Sequence, residues 1–138
     1  MKSKISLILV FVFLFSFIFS TAVNADGIEP RYNNANRTET TFTISGDGVA
    51  TINVSCIGKE NVTSKIEVKV EVDKRVMLLF WETAVATTTY MTYSSNYVNT
   101  FTHTLNKGSG TYRCRVTYTV YGSGGDADVI EFEDTKSW

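Results

Sequence analysis

The chain has 138 residues, with 13 basic and 14 acidic side chains, a net charge of −1, 43% hydrophobic residues and a single Pro. That length holds one domain around one core and leaves no room for a multidomain enzyme. The near-balanced charge excludes the basic footprint of a nucleic-acid binder, and the composition excludes a disordered or collagen-like chain.

Lys2 and Lys4 precede an apolar run from Ile5 to Phe19, which is followed by small and polar residues ending at Ala25. A charged start, a short apolar centre and small residues before the cut are the marks of a secretory signal peptide. Val23 and Ala25 stand three and one residues before a cut ahead of Asp26. The run is shorter than the ~20 residues that a spanning helix needs. Residues 1–25 are therefore expected to be removed, and the rest to leave the membrane and be secreted. Residues 26–37 read as an N-terminal extension and residues 38–138 as the folded domain.

Most of the exported part alternates with a period of two, which sends successive side chains to opposite faces of a sheet. Thr40, Phe42 and Ile44 alternate with Thr41, Thr43 and Ser45. Gly46-Asp47-Gly48 then turns the chain into Ala50, Ile52, Val54 and Cys56, which predicts a hairpin. Next, Ile66, Val68, Val70 and Val72 form a dry face against Lys65, Glu67, Lys69 and Glu71. Asp73 and Lys74 read as a reversal into a strand from Val76 to Trp81 that is apolar on both sides, so it is expected to be either covered on both sides or partly exposed. A weak strand is expected near Thr87 to Tyr93. Phe101, His103 and Leu105 share a parity opposite Thr100, Thr102 and Thr104.

After Lys107-Gly108-Ser109-Gly110, the residues Tyr112, Cys114, Val116, Tyr118 and Val120 face one way, and Arg113, Arg115, Thr117 and Thr119 the other. Gly122-Ser123-Gly124-Gly125-Asp126 reads as the last turn. It leads to Ile130 and Phe132 facing in, with Glu131 and Glu133 facing out. Seven or eight strands with short turns and no helical period predict an all-β, single antiparallel sandwich.

Cys56 and Cys114 both fall on the inward parity of their strands. In an oxidising compartment an even count of two invites one disulfide between the sheets, the alternative being two buried thiols. Closing a loop of this length stabilises a fold by ~4 kcal/mol on the loop-entropy account.

Gly110-Thr111-Tyr112-Arg113-Cys114 resembles the immunoglobulin pattern, in which a Tyr two residues before the second Cys forms a corner hydrogen bond. Immunoglobulin domains also carry a Trp on the strand after the first Cys. Here that strand has none, and Trp81 comes one strand later, so the resemblance implies an immunoglobulin-like sandwich and not an immunoglobulin domain. A second resemblance covers nearly the whole exported chain. Its pieces are Pro30-Arg31-Tyr32, Ile44-Ser45-Gly46 with Gly48, Ala50 and Thr51, Lys65-Ile66, Trp81, and Gly110-Thr111-Tyr112-Arg113 leading to Val116 through Tyr121. In these the chain resembles a family of small, functionally uncharacterised secreted proteins of Gram-positive bacteria. That resemblance implies export and a β-rich fold and assigns no functional residue.

Few side chains are set up for catalysis. His103 is the only histidine, no Gly-x-Ser-x-Gly elbow accompanies it, and a partly buried structural role accounts for it. One His and two Cys fall short of a zinc set. Asp126 and Asp128 follow a glycine-rich turn and are the one pair that could offer oxygens to calcium. With Glu131, Glu133 and Asp134 they read equally as a wet strand face, and no cofactor or metal is assigned. Trp81 and Tyr93 are the candidate members of an aromatic binding patch, because flat amphipathic rings stack on sugars and anchor protein partners. The expected function is a non-enzymatic extracellular domain that binds a protein or a surface glycan, with no nucleic acid and no membrane as partner after leader cleavage. A secreted antibacterial protein or inhibitor is the alternative, and a small glycan hydrolase the least favoured.

Overall fold

Alternation in the sequence becomes strands wherever one face can be buried. The computed structural model describes residues 31–138, and the leader expected over residues 1–25 lies outside them. Seven strands and no helix occur among the described residues: β1 (Ala35–Ile44), β2 (Val49–Gly58), β3 (Thr63–Met77), β4 (Phe80–Thr92), β5 (Asn96–Thr104), β6 (Thr111–Gly122) and β7 (Asp128–Ser137). They form a three-stranded sheet in the order β1-β2-β5 and a four-stranded sheet in the order β4-β3-β6-β7. All pairs are antiparallel.

The inward faces meet in one core. Phe42, Ile52, Val54 and Phe101 come from the first sheet, and Ile66, Val68, Val72, Val116 and Val120 from the second. Each buried Val, Ile or Phe side chain contributes about 1.5–3 kcal/mol by leaving water. The expected parities hold on β2, β3 and β6, where buried residues alternate with exposed or half-buried ones, and on β7, where half-buried Ile130 and Phe132 alternate with exposed Glu131 and Glu133.

Two expectations about the chain's path are corrected. Asp73 and Lys74 do not turn the chain. They continue β3, with Asp73 opposite Thr83 on one side and Arg113 on the other. Reversal comes at Leu78-Leu79 instead, and the expected strands Val76 to Trp81 and Thr87 to Tyr93 are the end of β3 and one continuous β4. The physical reason is that Asp73 finds partners on the neighbouring strand. Its carboxylate accepts from Arg113 Nη2 at 2.9 Å and Arg115 Nη2 at 3.1 Å, so a charged pair that looks like a turn is held extended.

The domain also begins earlier than position 38. β1 opens at Ala35, and the buried Asp128 carboxylate accepts backbone N–H bonds from Asn33 (2.8 Å), Asn34 (2.6 Å) and Ala35 (2.8 Å). The Asn34 side chain completes this lock, donating to Asp126 O at 2.9 Å and accepting from Gly124 N at 3.0 Å. At the opposite pole Trp138 exchanges backbone bonds with Gly110 and donates its indole N–H to Gly46 O at 2.9 Å. Gly48 sits under the Trp138 ring at φ 77°, where a Cβ would run into the indole.

Candidate functional site

β3 and β4 outrun the rest of their sheet. The last pairing between β3 and β6 is Lys74 with Tyr112, whereas β3 and β4 continue through Arg75 with Trp81 to Met77 with Phe80. Beyond Lys74 the hairpin is thus a two-stranded ribbon projecting from the pole that also carries Gly110 and Trp138.

The ribbon ends in apolar side chains facing water. Met77 is 67% exposed, Leu78 84%, Leu79 80% and Phe80 64%, and Val76 is about half exposed. Two-residue hairpin turns are usually built from Gly, Asn or Asp. Here the two turn residues are leucines, and neither is among the described residues with positive φ. Leaving a leucine in water forgoes about 1.5–3 kcal/mol relative to burying it, so folding of the domain alone gives no reason for this choice.

Charged and aromatic residues surround the base of the ribbon. The Arg113 guanidinium lies 4.4 Å from the Trp81 ring centroid, and that of Arg75 5.7 Å from it. Cations over an indole face are attracted by the ring's quadrupole. Arg75 Nη2 also donates to Thr111 Oγ1 at 3.1 Å. Lys74 Nζ donates to Lys107 O and stands 5.8 Å from the Tyr112 ring. Lys107 Nζ pairs with Glu82 at 3.0 Å. Four cations, Lys74, Arg75, Lys107 and Arg113, therefore collar the ribbon against three carboxylates, Asp73, Glu82 and Glu133.

Trp81, one of the two expected patch residues, belongs to this collar, half-buried under the arginines. Tyr93 does not. It is 78% exposed just past the far end of β4, roughly 40 Å away at ~3.3 Å per extended residue. The structure does not bring these two aromatics together, because the single long β4 replaces the two short strands expected from the sequence. The missed residues are Met77, Leu78, Leu79 and Phe80. Their signal is the run that is apolar on both sides: of the two alternatives it offers, covered or partly exposed, the structure has the exposed one, with a turn at Leu78-Leu79 inside it.

The other singled-out residues have structural surroundings. His103 is half-buried on β5 between buried Phe101 and Leu105. Asp128 spends its carboxylate on three backbone amides, and Asp126 contributes its carbonyl. Burial raises the Asp128 pKa, but the amides of Ala35, Asn34 and Asn33, with Lys59, outweigh it and hold the group below the usual carboxylate value. Among the described residues no group of three or more His, Cys, Asp or Glu converges on a metal position. Asp134 pairs with Lys136 at 2.8 Å. Glu131 and Glu133 border a shallow depression of about 320 Å³ on the outer face of the four-stranded sheet, beside Lys69, Glu71 and Arg115. Glu71 lies 3.2 Å from Lys69 on its own strand and 3.6 Å from Arg115 directly across on β6.

Cys56 on β2 and Cys114 on β6 are fully buried free thiols in this structure, so the expected bridge is not part of the described fold. Burial, with Asp128 as a minor contributor, pushes the Cys56 thiol up to about 11. Burial, with Asp134 and Asp73, pushes Cys114 up to about 12. Both are thiols rather than thiolates at neutral pH, which makes them poor nucleophiles. No family model and no curated protein matches this chain.

Proposed function

We propose that the chain is an exported, immunoglobulin-like binding domain whose contact element is the tip of the β3–β4 hairpin. The observation that carries the reading is the tip itself: Met77, Leu78, Leu79 and Phe80 stand in water on a ribbon lifted clear of the sandwich. Contiguous exposed apolar surface with a polar rim is characteristic of interaction sites. Trp81 acts at its base, where the rings and guanidiniums stiffen the ribbon.

Three features support the immunoglobulin-like assignment. The strand order divides β1-β2-β5 from β4-β3-β6-β7. The buried cysteines occupy β2 and β6, one in each sheet. Tyr112 bonds through its hydroxyl to Gly108 O, the corner contact expected of a Tyr two residues before the second Cys. Support for export comes from the pattern of residues 1–25.

The test uses protein collected from the medium of cells expressing the full chain. Fluorescently labelled wild type should be retained on cells, and the Leu78→Asp/Leu79→Asp variant should wash off. Equal retention of the two would remove the tip from the binding role.

A further inference from the structure

From the shape and charge of the hairpin tip we infer that its partner is an anionic lipid surface, into which Leu78 and Leu79 insert while the basic collar meets the headgroups. The inference rests on the binding-domain reading and names its ligand. It departs from the sequence-based expectation that the exported chain has no membrane partner.

Three observations favour a bilayer over a protein. First, the exposed apolar residues are consecutive, from Val76 to Phe80, so their side chains leave both faces of the ribbon. A protein docking on a sheet meets one face, whereas a fluid interface accepts a wedge that is apolar all round. Second, the exposed tip offers on the order of 600 Å², the upper end of what a monomer ordinarily shows, and less than the ~800 Å² per partner of a stable protein–protein interface. A second copy of the chain docked on the tip alone would fall short of that area. Third, the apolar residues end abruptly at the collar of Lys74, Arg75, Lys107 and Arg113, where Trp81 lies against two guanidiniums. Apolar insertion backed by basic residues, with an indole at the boundary, matches the vertical order of a membrane interface: acyl chains, then the indole level, then anionic headgroups.

The chemistry is non-covalent and additive. Leu78 and Leu79 supply apolar transfer, and the exposed Arg75 supplies attraction that weakens as salt screens it. Neither leucine takes part in the sandwich core, so replacing them leaves the fold intact.

The experiment is co-sedimentation of the exported protein with vesicles of phosphatidylcholine alone or mixed with phosphatidylglycerol, at low and high salt. Wild type should pellet with the phosphatidylglycerol vesicles, more weakly with phosphatidylcholine alone, and less at high salt. The Leu78→Asp/Leu79→Asp protein should lose at least about tenfold in partitioning, since two inserted leucines become two carboxylates. Arg75→Glu should weaken binding to the mixed vesicles by a larger factor than binding to phosphatidylcholine alone. Wild type that ignores both vesicle types, yet is held on cells through Leu78 and Leu79, overturns the lipid inference and preserves the binding-domain reading. In that case release from cells by prior protease treatment identifies a protein partner. Wild type retained by neither cells nor vesicles overturns both.

Discussion

The hydroxyl of Tyr112 donates to the carbonyl oxygen of Gly108, four residues upstream, while the ring of Tyr112 is fully buried at the start of β6. One side chain thereby fills the core below the β5–β6 loop and fixes that loop's backbone above it. Tyr112→Phe keeps the ring and removes the bond. It should lower the unfolding free energy by about 0.5–1.5 kcal/mol in urea titration, with no change of slope, because a part-buried hydrogen bond is lost. An unchanged midpoint would show that water replaces the hydroxyl.

The buried Asp128 carboxylate ties Asn33, Asn34 and Ala35 to the β7 side of the fold, and removing it should loosen the start of β1. Asp128→Ala leaves three backbone donors without their acceptor and should destabilise by about 3 kcal/mol. Asp128→Asn keeps one oxygen and should cost about half as much. The carboxylate's folded pKa lies below its ordinary value of 3.8. Its contribution is therefore fully present above the unfolded value and is lost as pH falls through the folded one. Acid unfolding of wild type should start below about pH 4, and that acid dependence should shrink in Asp128→Asn.

At alkaline pH the state of the sulfurs becomes visible. Tyr118, buried and bonded to Thr40, has its pKa pushed up by burial to about 12, from 10.0. The thiols of Cys56 and Cys114 rise to about 11 and about 12, from 9.0. Groups whose folded pKa is raised stabilise the fold below the unfolded value, and that contribution falls as pH climbs toward the folded one. Protein with free thiols should therefore lose stability from about pH 9 upward, and protein with a Cys56–Cys114 bridge only from about pH 10. Thermal melts of reduced and untreated protein across this range check the difference. An intact mass lighter by two hydrogen atoms than the reduced chain would identify the bridged form directly.

Leu78→Asp/Leu79→Asp should separate stability from binding. Both positions are exposed, so the unfolding free energy should move by no more than about 0.5 kcal/mol while retention on cells is lost. A large loss of stability would mean that the leucines pack in the folded domain.

Much of the sandwich was legible in the sequence because a half-buried strand must alternate, and Ile66 to Val72 and Tyr112 to Val120 do so without interruption. Where local chemistry and tertiary partners disagree, the pattern misleads. Asp73-Lys74 has the composition of a turn, yet Arg113 and Arg115 hold Asp73 extended from 40 residues or more away in sequence. Leu78-Leu79 has the composition of a strand and forms the turn. The apolar run from Val76 to Trp81 is legible as partly exposed, but its turn is not, because two leucines stand where turn residues are expected. The Asp128 lock was equally hidden: three backbone amides more than 90 residues upstream leave no mark on the sequence around an aspartate.

Gly48→Ala tests the pole that carries the tip. The substitution forces a Cβ against the Trp138 ring at a backbone conformation that favours glycine. It should destabilise by about 1–3 kcal/mol and shift Trp138 emission toward that of an indole in water.

Trp81 and Trp138 are the chain's two tryptophans, and they share one pole of the sandwich. Intrinsic fluorescence therefore monitors only that half of the molecule, and loosening of the Asn34–Asp128 clasp would pass beneath it without a signal. A melting curve followed by emission should coincide with one followed by far-ultraviolet dichroism only if the two poles come apart together, so the chain carries its own gauge of cooperativity.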